Sequence, residues 1–248
     1  MCIRDRDLVE IARGVEIGQA CTVALLWSGC HEMQIEQMSK AIASKLSDAR
    51  LGFLQRFPKL TEQLDLRTRP LKERWDTFGP GLLRQVGKLV WGEPPNDWWP
   101  NSITVQMLQP IRGGDGGYDS EHDQCWMEAV LTDVDSGIPE VVRLGWLITR
   151  IAIDSYTRER SGDQSLSKPW SLVSVPLILS AAHELELIRD PKLPIENAMA
   201  LWQFGDAQSA ETVRCWWEEY LETNQPLPAA LRVLDQRVSA TDSRPADD

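Results

Sequence analysis

Four carboxylates within nine residues, Asp115, Asp119, Glu121 and Asp123, stand among the glycines Gly113, Gly114, Gly116 and Gly117. Hard oxygen ligands on a turn are the raw material of a calcium site. Read in the EF-hand register from Asp119, however, position six is Gln124 where glycine is required, and position twelve is Val130 where a bidentate Glu is required. What remains is an irregular cation site, or a solvated turn whose acidic residues open a helix and suit its dipole. The same glycines could cradle phosphate with bare N–H groups, but no Gly-Lys-Ser/Thr follows and the acidic neighbours repel an anion. A flexible hinge is the better reading of the run.

His183-Glu184 on an apolar helix invites comparison with zinc-protease helices, which place a second His four residues after the first. Position 187 is Leu, so the pair reads as the polar edge of a packed helix. Cys21, Cys30 and His31, with His122 and Cys125, could supply soft ligands, but no Cys-x-x-Cys occurs and Cys21 lies on an apolar stripe. Adjacent indoles occur twice, Trp98-Trp99 in a Pro-rich stretch and Trp216-Trp217 ahead of Glu218 and Glu219. On a helix such neighbours point about 100° apart, so both are buried only in a wide core face. Beside carboxylates they could stack on and hydrogen-bond a sugar; more often they anchor a core or an interface. These four Trp are the candidate interaction residues. No Gly-x-Ser-x-Gly elbow, Cys/His signature or dinucleotide-binding glycine pattern appears, so the sequence offers no catalytic residue and no cofactor is expected.

Eleven Trp against four Phe and three Tyr is the most distinctive property of the 248-residue chain. The length suffices for one large domain or two small ones without disulfides. Five scattered cysteines read as reduced thiols, so a cytoplasmic location is the default. A net charge of -11 argues against nucleic acid or an anionic membrane as partner, since both select clustered Lys and Arg. The longest apolar run of the N-terminal half, Ala20 to Trp27, is far short of the roughly twenty residues of a membrane span. Met1 to Arg6 resembles translated sequencing-adapter read-through, which leaves open a different native start.

Periodicity predicts an all-α bundle of about eight helices. From Asp7, positions Leu8, Ile11, Ala12 and Val15 lead into the Ala20–Trp27 run and stop at Gly29. Ile35, Met38, Ile42, Leu46, Ala49, Phe53 and Phe57 follow steps of three and four up to Pro58. A pattern through Trp75 and Phe78 breaks at Gly79-Pro80-Gly81 and resumes at Leu82. Ile103, Val105 and Met107 alternate as one strand; with no sheet to join, it reads as an extended arm, and a hairpin or pairing with another chain is the alternative. Helices are expected over 121–133, over 139–154, where a narrow wet stripe of Glu140, Arg143, Arg150 and Asp154 marks a central, mostly enclosed helix, and over 175–188, 195–204, 209–220 (Ser209 as N-cap) and 228–238. Residues 155–168 read as a polar loop. The expected organisation is a helical layer over 7–92, a linker over 93–120, a second helical layer over 121–238 and a disordered tail over 239–248.

The segments VEIGQACTVALLWSG (15–29) and PEVVRLGWLITRIAID (139–154) resemble parts of uncharacterised helical proteins of planctomycete-type bacteria. The resemblance covers about a third of the chain and implies no activity or catalytic residue. The expected function is a non-catalytic bacterial adaptor or subunit that works through a protein partner or self-association. The alternatives are a helical enzyme or binder of a polar, sugar-like ligand, with Trp216, Trp217, Glu218 and the acidic residues around Asp115 as its candidates, and a cation-binding protein using Asp115 to Asp123.

Overall fold

A computed structural model describes residues 17–95, 97–108, 116–160, 167–223 and 225–242. Its contacts divide the chain into two units, Met1–Leu66 and Arg67–Asp248, a division earlier than the expected linker at 93–120. The first part of the expected helix from Asp7 and residues 243–248 of the expected tail lie outside the described residues, whereas 239–242, also expected in that disordered tail, are helical. No described helix is long and apolar enough to cross a membrane.

In the first unit, α1 (Ile17–Trp27) packs on α2 (Glu32–Arg56). The turn between them needs a left-handed residue, and Gly29 supplies it at φ 74° while Cys30 N donates to Leu25 O at 3.1 Å. Cys21 and Leu25 of α1 are buried, as are Ile35 and Ser39 of α2. Ser39 Oγ donates to Gly18 O at 2.7 Å and receives the hydroxyl of Thr22 at 2.9 Å. Farther along α2 and just past its end, Leu46, Phe53 and Phe57 are exposed.

The long helix α3 (Leu60–Trp91) continues through Pro70 and Pro80, where a break at Gly79-Pro80-Gly81 was expected. An interior Pro costs about 3 kcal/mol. Burial of Leu82, Val86 and Val90 in the core of the second unit opposes that cost, and a bare Gly79 lets the Trp75 ring lie 2.6 Å from where a Cβ would stand. Tertiary burial overrides the local breaker.

Three strands, β1 (Thr104–Leu108), β2 (Gly116–Asp119) and β3 (Gln124–Glu128), form a sheet in the order β1-β3-β2. β1 runs parallel to β3, with Val105 opposite Cys125, and β2 runs antiparallel, with Tyr118 opposite Cys125. The all-α expectation is thus corrected to a mostly helical fold with a small mixed sheet. Thr104–Leu108 is a paired strand, and Gln124–Glu128 is a strand where a helix was expected. In β3, Cys125 and Met127 point into the core while Gln124, Trp126 and Glu128 are half-buried, the alternation a strand requires. Gly116 and Gly117, read as part of a hinge, belong to β2. Gly117 lies beneath Trp126, whose Cζ2 would sit 2.4 Å from an added Cβ.

The remaining helices are α4 (Glu140–Arg160), α5 (Ser167–Glu184), α6 (Ile195–Leu201), α7 (Ala207–Leu221) and α8 (Leu227–Asp242). α4 and α5 cross closely, with Gly145 against Ile178. The expected wet stripe of α4 is in fact enclosed: Glu140, Arg143 and Arg150 are buried and Asp154 is half-buried. The N-cap of α7 is Asp206, whose Oδ1 accepts from Ser209 N at 2.7 Å, so Ser209 is the capped residue and not the cap.

Candidate functional site

Trp98 stands just beyond the end of α3 and is enclosed by a cluster of rings. Its centroid is 5.4 Å from Trp91, 5.5 Å from Tyr156, 5.8 Å from Trp99 and 6.5 Å from Trp170. The close pairs are edge-to-face, the geometry that the aromatic quadrupole favours. Tyr156 reaches the cluster because α4 continues two turns past Asp154, so 155–160, expected in a loop, is helical. On the outer side of these rings lies a cleft of about 490 Å³. Trp98, Trp99 and Tyr156 line it together with Asp97, Glu121 and Asp123, and Ser120 and Arg158 stand at it as well.

The acidic side of the cleft is shaped by the turn from β2 to β3. Asp119 at the end of β2 is buried; its Oδ1 accepts from Glu121 N at 2.9 Å and its Oδ2 lies 2.7 Å from His122 Nδ1. Asp123 then takes φ 51°, a left-handed conformation that Asp tolerates better than most residues, and its carbonyl accepts from Thr104 N at 3.0 Å. The Asp123–Thr104 bond ties the turn to β1, and Glu121 and Asp123 line the cleft. Arg158 Nη2 donates to Ser120 Oγ at 2.8 Å. Beneath this layer, Arg150 Nη2 donates to Tyr118 OH at 2.6 Å and Tyr118 OH donates to Asp154 Oδ2 at 2.8 Å, a web that ties β2 to α4. Burial is the main reason the Tyr118 phenol is held far above its ordinary range.

The four candidate Trp do not share a surface. Trp98 and Trp99 are neighbours at the cleft, with Trp98 buried and Trp99 half-buried. Trp216 and Trp217 are buried in the helical core beside Tyr220, Trp216 stacking on it at 5.3 Å. The stretch 97–108, expected in an extended linker arm, is instead held against the body of the second unit by ring packing and the β1–β3 ladder. Glu218, a candidate for sugar contact, pairs with Arg214 at 3.0 Å on the outside of α7.

Of the proposed cation ligands, Asp115 lies outside the described residues. Asp119 is engaged by His122 and the Glu121 amide, and among the described residues no three His, Cys, Asp or Glu side chains are grouped to hold a metal ion. The described part of the loop, with Glu121 and Asp123, forms one wall of the aromatic cleft. Cys125 sits in the core, where burial pushes its thiol up to about 12, and a thiol so held is a poor metal ligand. His183 and Glu184 are exposed at the end of α5, as expected of a polar edge.

A second cavity, of about 210 Å³, is lined by Leu71, Arg74, Val130, Asp133 and Glu140. Glu140 is buried there 3.6 Å from Arg143, and desolvation raises its carboxyl above the ordinary range despite that guanidinium. Arg74 and Asp133 pair beside it, and Arg143 Nη2 donates to Leu201 O at 3.1 Å. This constellation joins the start of α4 to the end of α6.

Asp97, Tyr156 and Arg158 were missed as site residues. The adjacency of Asp97 to Trp98-Trp99 was a usable signal, whereas no spacing connects Tyr156 to residues almost sixty positions earlier. No family model, curated protein or solved structure matches this chain.

Proposed function

We propose that the protein binds a small polar ligand of sugar-like chemistry in the cleft at Trp98 and Trp99. The observation that carries this reading is the meeting of three rings with Asp97, Glu121 and Asp123 around one cavity of about 490 Å³, within the size range of small-ligand sites. A pyranose has flat C–H faces suited to an indole and hydroxyls that donate to carboxylates. Hydrogen bonds to charged groups contribute about 1.5–3 kcal/mol each. Titration calorimetry with methyl glucoside and N-acetylglucosamine at up to about 10 mM tests the reading. Binding is expected, weakened at least about ten-fold by Trp99→Ala or Asp123→Asn. Binding that is unchanged by both substitutions would sink it.

A second reading, a non-catalytic adaptor or subunit, is favoured by α2 and not by the Trp pairs. Its seam of Leu46, Ala49 and Phe53, continued by Phe57, is exposed, and Lys45, Arg50 and Arg56 flank it. A narrow seam already used by a helix in its first half suits another helix, and the basic flanks select an acidic one. A synthetic helix with a Leu seam flanked by Glu is expected to bind at least about ten-fold tighter than its Lys-flanked counterpart, and Phe53→Glu should abolish the difference. Equal binding of the two peptides removes this reading.

A further inference from the structure

We propose that Cys30, His31 and Met38, where α1 turns into α2, form a binding site for a soft monovalent metal ion, Cu(I). Cys30 is a free thiol, and its Sγ lies 3.6 Å from the Met38 Sδ. Two metal–sulfur bonds of about 2.3 Å spanning that gap meet at about 100°, near the tetrahedral angle and a few tenths of an ångström short of the trigonal separation. The two sulfurs stand as a chelate would hold them. Cys30 is half-buried and Met38 exposed, so an ion reaches both from solvent.

The hairpin fixes the backbone that carries these groups. Gly29 takes the left-handed turn at φ 74°, Cys30 N donates to Leu25 O at 3.1 Å, and Gln34 N donates to His31 O at 2.8 Å. Ser39, the residue after Met38, is buried and donates to Gly18 O of α1 at 2.7 Å. His31 is exposed and precedes α2 without a side-chain capping bond, so its imidazole is not committed to the helix end. It follows Cys30 directly in the chain, and rotation of its side chain brings a ring nitrogen to a metal held on Sγ.

The donor set selects the ion. Thiolate and thioether are soft ligands that favour Cu(I), and imidazole suits copper as well. Structural Zn(II) takes four ligands from Cys, His and carboxylates, and a thioether is not among them. Binding exchanges a proton for the metal: the Cys30 S–H bond gives up a proton as the Cu–S bond forms, Met38 and His31 donate lone pairs, and copper stays Cu(I) throughout.

The test titrates the full chain anaerobically with Cu(I) against a colorimetric Cu(I) chelator and follows the methyl resonances of isotope-labelled methionine. One equivalent is expected to move the Met38 methyl, which is assigned by its loss in Met38→Leu. Met38→Leu and His31→Gln should each weaken retention of Cu(I) at least about ten-fold, and Cys30→Ser at least about a hundred-fold. Met33→Leu is the control: five residues from Met38, it projects about 140° away on α2, and its retention should match that of the native chain. Capture by some other thiol would leave the Met38 methyl in place and overturn the proposal. So would equal retention by Met38→Leu and the native chain, or an equal shift of that methyl by Zn(II).

Discussion

Trp217→Ala is expected to destabilise the protein by about 3–5 kcal/mol, the range for removing a large aromatic from a core. Trp217 is among the largest fully buried side chains and is 1% exposed. It packs on Tyr220 at 5.2 Å and on Trp216 at 6.0 Å, and α7 meets α5, α6 and α8 around it. Because α7 packs against three other helices, the surroundings have little freedom to collapse into the cavity. Its Nε1 has no hydrogen-bond partner, so Trp217→Phe forfeits only ring volume and should cost less than about 1.5 kcal/mol. Urea unfolding of both variants measures this through the midpoint at constant slope. A cost of Trp217→Ala below about 1.5 kcal/mol would show that the indole lies against a yielding surface and not in a core.

Arg150→Ala is expected to cost about 3 kcal/mol, near the lower end for breaking a buried ionic contact, because Asp154 remains partly open to solvent. The Arg150 guanidinium lies 4.8 Å from the Phe204 ring centroid and 5.2 Å from that of Tyr118, and it donates to the Tyr118 hydroxyl. Truncation removes the stem that packs between the rings and leaves Tyr118 and Asp154 without their cation. Arg150→Met restores most of the stem, so its cost should be about half as large. The difference between the two variants isolates packing from charge. A cycle of Arg150→Met with Tyr118→Phe should show about 1 kcal/mol or more of coupling. Two purely additive costs would mean that the web is geometric only. Ser120 follows Tyr118 by two residues and Arg158 lies two turns after Arg150, so Arg150→Ala should also loosen the cleft and weaken whatever binds there.

Much of the helical scaffold was legible because its signal is local. The steps of three and four along α2, the Gly29 stop and the apolar run of α5 each report a side chain's direction on its own backbone. The strand β3 was not legible in the same way. Cys125, Met127 and Ala129 alternate at a spacing of two, but a five-residue span also accommodates a helical reading, and the choice fell to pairing with Thr104–Leu108 some twenty residues earlier. The continuity of α3 through Pro80 was decided by burial of Leu82, Val86 and Val90, a contribution that propensity does not contain.

The site divides along the same line. Trp98-Trp99 and the carboxylates Glu121 and Asp123 stood out individually from residue type and spacing, as did the option of stacking a sugar between indoles and carboxylates. Their meeting did not, nor did the removal of Trp216 and Trp217 into the core. Sequence by itself determined the helical majority and the acidic charge, and it singled out Trp98, Trp99, Glu121 and Asp123 as candidates, because each depends on composition or on neighbours within a turn or two. Only the tertiary structure decided which indole is enclosed, that Tyr156 and Arg158 face the acidic turn, and that the buried stripe of α4 is ionic and not wet. Those outcomes depend on contacts between distant segments, whose free energy is set by what each side chain is packed against and not by what precedes it in the chain.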